Sequence, residues 1–177
     1  GFGLNATYKG FDMSMFFNFM YDFDVLNANK IMLTTWADNK ENNFLMNIAS
    51  DKRWRNFDDM GNEIRYSPEV LAEFNKNATM WNPTSIGRPI CMSYAVEDGS
   101  FLRLNSATLG YTLPSVWTKK VGLSKVRFYV SGNNLFTLTG YSGYDPEVNI
   151  ATGLTPNIDY NRYPRSRTYT FGAQLTF

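Results

Sequence analysis

Histidine is absent from the 177 residues, and cysteine occurs once, as Cys91. Without imidazole there is no His-dependent catalytic triad, no zinc site with His ligands and no side chain that ordinarily titrates near neutrality. A single cysteine excludes an internal disulfide and any CxxC metal or redox motif. Cys91 is expected to be a small, half-buried side chain. No run of eighteen apolar residues occurs, and Gly1-Phe2-Gly3-Leu4 has neither the charged nor the apolar region of a signal peptide. If this chain meets a membrane, strands meet it. Charge is nearly balanced, 17 Lys and Arg against 16 Asp and Glu, so no basic field gathers nucleic acid.

Aromatic residues are abundant instead, at 16% of the chain. The clearest pattern is the terminal run Arg167-Thr168-Tyr169-Thr170-Phe171-Gly172-Ala173-Gln174-Leu175-Thr176-Phe177. Strand side chains alternate between faces, which puts Tyr169, Phe171, Ala173, Leu175 and Phe177 on one side and Thr168, Thr170, Gly172, Gln174 and Thr176 on the other. That length suffices for a tilted strand to cross a hydrocarbon layer. An aromatic end suits the interfacial girdle of an outer-membrane barrel, so the first group is expected to face lipid.

The same period recurs upstream. Residues 1–8 and 10–22 read as two strands joined by Lys9-Gly10, the second placing Phe11, Met13, Met15, Phe17 and Phe19 on one face with Phe171 and Leu175. Strand character returns at 100–112, where Leu102 and Leu104 fall out of phase with Ala107, Leu109 and Tyr111, and a bulge or the strand's exit from the membrane is expected near Asn105. Two more strands are read at 125–137 and 167–177, with 113–124 between as a turn. The remaining connections are long, 23–99 and 138–165, and such lengths should carry structure of their own. Ser67-Pro68-Glu69 marks a helix start, with Ser67 as N-cap, a run to about Lys76, and Val70, Leu71 and Phe74 facing inward. Short and long connections alternate, as periplasmic turns and external loops do in bacterial barrels.

Glu97-Asp98-Gly99-Ser100-Phe101-Leu102-Arg103-Leu104, Leu109-Gly110-Tyr111-Thr112-Leu113-Pro114, Val130-Ser131-Gly132-Asn133-Asn134-Leu135-Phe136-Thr137, Gly140-Tyr141-Ser142-Gly143-Tyr144-Asp145-Pro146-Glu147-Val148-Asn149 and Tyr163-Pro164-Arg165-Ser166-Arg167-Thr168-Tyr169-Thr170-Phe171-Gly172 closely resemble recurring segments at the C-terminal end of SusC/RagA-type TonB-dependent outer-membrane transporters. Tyr8-Lys9-Gly10-Phe11-Asp12-Met13-Ser14 does too. The resemblance implies the last five strands of a barrel of about twenty-two, its plug absent from this chain. It also implies nutrient import, of glycan oligosaccharides or peptides, on energy from the TonB complex. A SusD-like surface lipoprotein would be a partner, and the barrel-assembly machinery would read the terminal strand. The location would be the Gram-negative outer membrane, with the long loops extracellular and the C-terminus periplasmic.

Other residues invite sharper readings that the pattern does not support. Asp145 and Glu147 are two carboxylates, the minimum for glycoside hydrolysis, but they flank a proline in ordinary turn chemistry with no third group to tune them. Asp51, Asn56, Asp58 and Asp59 lack the ligand order of a calcium loop. Asn5-Ala6-Thr7 and Asn77-Ala78-Thr79 match the N-glycosylation pattern, which has no glycosylating role in a bacterial barrel. Trp36, Trp54, Trp81, Tyr141 and Tyr144, in the long loops, are candidates to touch substrate or a partner, against the plainer role of packing a loop core. Arg162, Arg165 and Arg167 are expected near the outer headgroups.

The expected fold is thus all-β: an antiparallel transmembrane barrel wall of five consecutive strands, with long external loops and one short helix. No enzyme activity and no cofactor are expected. The alternative is a soluble carbohydrate-binding β-sandwich, which would bury its apolar faces against a second sheet.

Overall fold

The computed structural model describes residues 1–35, 45–49, 52–83, 90–148 and 157–177. Its strands are β1 (Phe2–Tyr8), β2 (Phe11–Met20), β3 (Asp24–Asn27), β4 (Val96–Asp98), β5 (Phe101–Thr112), β6 (Lys125–Thr139), β7 (Ile158–Asp159) and β8 (Thr168–Thr176). Five of them form one antiparallel sheet in the order β1-β2-β5-β6-β8, an open wall that does not close. The other three form a small sheet, β4-β3-β7.

The turn between β1 and β2 is built by Lys9 at φ 45° and Gly10 at φ 88°. Two successive positive φ values give the hairpin turn whose twist matches the flanking strands, and glycine takes the second position without strain. Tyr8 therefore pairs with Phe11, and the register runs unbroken to Phe2 opposite Phe17. The expected slip in β5 is a bulge at Asn105, which both ladders skip between Leu104 and Ser106. Across from it β6 spends two residues, Asn134 and Leu135, with Asn134 at φ 52°. A bulge returns the apolar series to one face, which is why Leu102 and Leu104 align with Ala107 and Leu109 despite their spacing.

Directly opposed residues share a face, so the registers sort every side chain of the wall. Phe11, Met13, Met15, Phe17 and Phe19 fall with Leu102, Leu104, Leu109, Phe128, Val130, Tyr169, Phe171 and Leu175. Among the described residues no second sheet covers this face: Leu104 and Val126 are buried, but Leu4, Phe11, Phe19, Leu109, Phe128 and Leu175 all remain about half exposed and Phe171 is 81% exposed. A β-sandwich would have covered them, and the second sheet is too short to do so. Each such side chain is worth about 1.5–3 kcal/mol when fully withdrawn from water, so a wall of this composition needs an apolar medium against it.

Both long connections leave from one end of the wall, where Met20 pairs with Phe101 and Phe101 with Thr139. Their segments meet in the small sheet, β3 pairing antiparallel with β4 and parallel with β7. Helix α1 (Ala28–Met32) follows β3 directly, capped by the Asn27 side chain, which accepts from the Lys30 amide at 3.1 Å. Helix α2 (Met46–Ala49) is one turn. Helix α3 (Pro68–Phe74) begins where the sequence places it but stops before Lys76, and the Ser67 side chain makes no cap bond. Val70 is exposed and only Leu71 and Phe74 are half-buried. Asn75 ends the helix by donating to Leu71 O and Arg55 O, each at 2.9 Å, and accepting from the Arg55 amide at 2.7 Å. The connection expected as a plain turn contains helix α4 (Ser115–Thr118), started by Pro114, whose missing N–H costs nothing there.

Candidate functional site

The face opposite the apolar one is mostly polar, with Phe16, Met20 and Phe101 among Asp12 and Ser14 on β2, Arg103 and Thr108 on β5, Arg127, Tyr129, Ser131, Thr137 and Thr139 on β6, and Thr170 and Gln174 on β8. Near the end with the short connections, Arg127 Nε donates to Asp12 Oδ1 at 2.9 Å and a second guanidinium nitrogen meets Oδ2. These residues are on strands separated by β5, and the bridge passes over Gly110, where a Cβ would collide with both side chains. Gly172 of β8 likewise lies under the Tyr129 ring. Glycine here lets long side chains lie flat on the wall.

At the loop end Arg103, 2% exposed, pairs with Asp145, and its Nε lies 3.6 Å from Glu147 Oε2. The Glu147 amide donates to Asp145 Oδ1 at 2.9 Å, and Arg165 donates to Glu147 Oε1 at 2.8 Å. Burial on its own would raise the Asp145 pKa. The hydrogen bonds from Arg103 and the Glu147 amide, with the charges of Arg103 and Arg165, outweigh it and hold the carboxyl below its usual range. Both carboxylates are thus engaged by arginine, an arrangement that fixes a loop to the wall and leaves neither free for acid-base chemistry. The sequence reading that no third group tunes the pair is corrected for Asp145, which Arg103 and Arg165 do tune.

A second network sits in the loops themselves. Glu97 accepts from Lys30 Nζ at 3.1 Å, from the Ser142 amide at 3.0 Å and from Ser142 Oγ at 2.9 Å. Burial pushes its carboxyl up, but the bonds from Ser142 and Lys30 leave it below its ordinary value. Tyr141, 6% exposed, packs with Val25, Val148 and Phe23, and its hydroxyl donates to Asp159 Oδ2 at 2.7 Å. Burial first, then the Asp159 carboxylate, push the phenol far above its ordinary pKa, so it stays neutral.

The loop aromatics divide by place. Trp81 donates from its indole N–H to Thr34 O at 3.1 Å and meets the Tyr94 ring edge-on at 5.1 Å, so it packs inward, as Tyr141 does. Trp54 is 40% exposed and bonds Asn56, while Tyr144 is 81% exposed. Trp36 lies outside the described residues, as does Asp51. Asp58 accepts from the Met60 and Asn62 amides and Asp59 pairs with Arg55, and no metal-holding cluster occurs among the described residues. Cys91 is exposed, not half-buried. Tyr169, Phe171, Ala173 and Leu175 share the apolar face, and Phe177 follows β8 at 87% exposure. Arg165 and Arg167 turn toward the loop clamp, Arg167 Nε donating to Asn134 O at 3.3 Å. The clamp partners Arg103 and Asp145 were invisible in the sequence, where nothing links positions 42 apart.

A one-sided apolar wall with a polar, charge-laced reverse and its long connections at one end is a portion of an antiparallel membrane barrel. No family model matches the chain. TonB-dependent receptor P3 of Formosa agariphila is 34% identical over the whole chain, which spans 16% of that receptor's length. TonB-dependent receptor SusC of Bacteroides thetaiotaomicron is 38% identical over 48% of the chain and 8% of its own length. A solved structure of the RagAB peptide transporter superposes with a TM-score of 0.72 at 25% identity, covering 99% of this chain and 17% of the other. The chain belongs to the SusC/RagA-type TonB-dependent receptors, as a portion of their barrel, and so to the outer membrane.

Proposed function

We propose that this chain is the C-terminal wall of an outer-membrane importer that takes up glycan oligosaccharides or peptides on TonB-derived energy, capped by a SusD-like surface lipoprotein. The uncovered apolar face carries the reading, because it requires lipid on one side and leaves the charged face for the lumen. Both loop connections are then extracellular and the C-terminus periplasmic, with Tyr144 and Trp54 offered to cargo or lipoprotein. In the complete protein, freed of other cysteines by changes that include Cys91→Ser, Met60→Cys should react with a membrane-impermeant maleimide on intact cells and Val121→Cys should not. The reverse pattern inverts the topology. Loss of uptake in cells lacking TonB tests the energy source.

The apolar series Tyr169, Phe171, Ala173, Leu175 and Phe177 would also be what the barrel-assembly machinery reads. Deleting Phe177 removes one rim side chain, at most about 1.5–3 kcal/mol of finished-barrel stability. Folded, heat-modifiable barrel at the cell surface should nevertheless fall severalfold. Wild-type amounts after the deletion rule out a signalling role for the terminal residue.

A further inference from the structure

Beside the Arg103 clamp, on the polar face of the wall, lies a hollow of about 310 Å³ lined by Arg103, Thr137, Thr139, Tyr144, Arg165 and Arg167, with Pro146 and Pro164 as stiff walls. Its charges do not balance. Arg103 and Arg165 are matched by Asp145 and Glu147. Arg167 has no acidic partner among the described residues: its Nε is spent on Asn134 O, and its two terminal nitrogens are left over. A planar guanidinium edge with two parallel N–H donors is the complement of a carboxylate, and it is effectively always charged. The Thr137 and Thr139 side chains are on the same face, and Tyr144, 81% exposed, offers a ring against which a sugar or peptide plane can lie. The arginine is not spare packing, because it is exposed, and it is not directed at the apolar face, because it lines a hollow of the polar one.

We propose that this hollow is a binding subsite for a carboxylate group of the imported cargo, with Arg167 as the pairing residue and the Arg103–Asp145–Glu147–Arg165 clamp as its rigid floor. This rests on the import reading above and narrows it to acidic cargo.

The test is arginine footprinting on the purified complete protein with phenylglyoxal, read by mass spectrometry at Arg167. Trigalacturonate and an N-acetylated tetrapeptide with a free carboxyl end are the carboxylate probes, maltotriose and the same N-acetylated tetrapeptide as its amide the neutral controls, and lipopolysaccharide a separate arm. At least one carboxylate probe should slow Arg167 modification about tenfold, and its neutral counterpart should not. Raising the salt should erase that protection, since the pair is exposed. Arg167→Gln, which leaves the clamp residues untouched, should weaken binding of the protective probe about tenfold and leave binding of neutral probes unchanged. Equal protection by charged and neutral probes, no protection by either carboxylate, or protection by lipopolysaccharide alone overturns the subsite. TonB-dependent uptake with no carboxylate protection keeps the importer and removes the subsite. Protection without any TonB-dependent uptake does the opposite.

Discussion

Asp145→Ala in the complete protein should accelerate amide hydrogen exchange across residues 139–148 by between about a hundredfold and a few thousandfold, while exchange within β1 and β2 stays unchanged. The change strands Arg103, only 2% exposed, without its carboxylate, and removes the acceptor of the Glu147 amide. Breaking one side of a buried pair costs about 3–5 kcal/mol, mostly because the remaining charge stays desolvated. Here that penalty falls on a loop able to relieve it by lifting off. The double variant Arg103→Met with Asp145→Ala should recover most of the protection, because no buried charge remains. If the single variant exchanges like wild type, the clamp does not hold the loop. The pH dependence has a definite sign. The Asp145 carboxyl is depressed below its ordinary value of 3.8, so its contribution is complete above that value and is lost as pH falls through the lower, folded one. Protection, corrected for intrinsic exchange, should therefore be flat from neutrality to about pH 4 and decline only below it.

Phe171→Arg should reduce the amount of folded barrel sharply and Thr170→Arg, its immediate neighbour, should not. Phe171 pairs with Val130 partway along β8, on the uncovered apolar face, and Thr170 pairs with Ser131 on the polar one. A guanidinium at the middle of a bilayer costs a barrel about 2–4 kcal/mol, whereas a lumen-facing one is solvated. Leu109→Arg on β5 should behave like Phe171→Arg, and Thr108→Arg like Thr170→Arg. Heat-modifiable protein in isolated outer membranes measures all four. Equal losses within either neighbouring pair would mean that the two faces meet the same medium, and the lipid-facing assignment would fall.

The wall was legible in the sequence because strand side chains alternate and one face is apolar without exception, so period alone sorted Phe11, Met15, Phe171 and Leu175 together. The Lys9-Gly10 turn was legible because few residue pairs adopt two positive φ values. Even the bulge at Asn105 showed, as a phase slip in the leucine series. The loop end was not legible to the same degree, because its order rests on charge pairs between distant positions. Nothing near Arg103 announces a partner beyond β6, and nothing in Gly140-Tyr141-Ser142 says that Tyr141 turns inward to Asp159 while Tyr144 turns out. Helix α4 escaped because four residues are too few to establish a period. Ser67 predicted a helix start correctly and a cap bond wrongly, since Pro68 already fixes the first turn's geometry.

The parallel pairing of Leu26 with Ile158 fixes an order of events as well as a shape. Strand β3 leaves the ribosome long before β7, and the Asn157 carbonyl that accepts from the Leu26 amide is made only after β6 is complete. Until then β3 has β4 alone to pair with, and its other edge stands open. The first loop therefore reaches its final form only once the segment after β6 has folded back onto it, and until then β3 presents an open edge. Such an edge is a hazard to any strand travelling alongside. At four residues β3 is short enough to keep that hazard small.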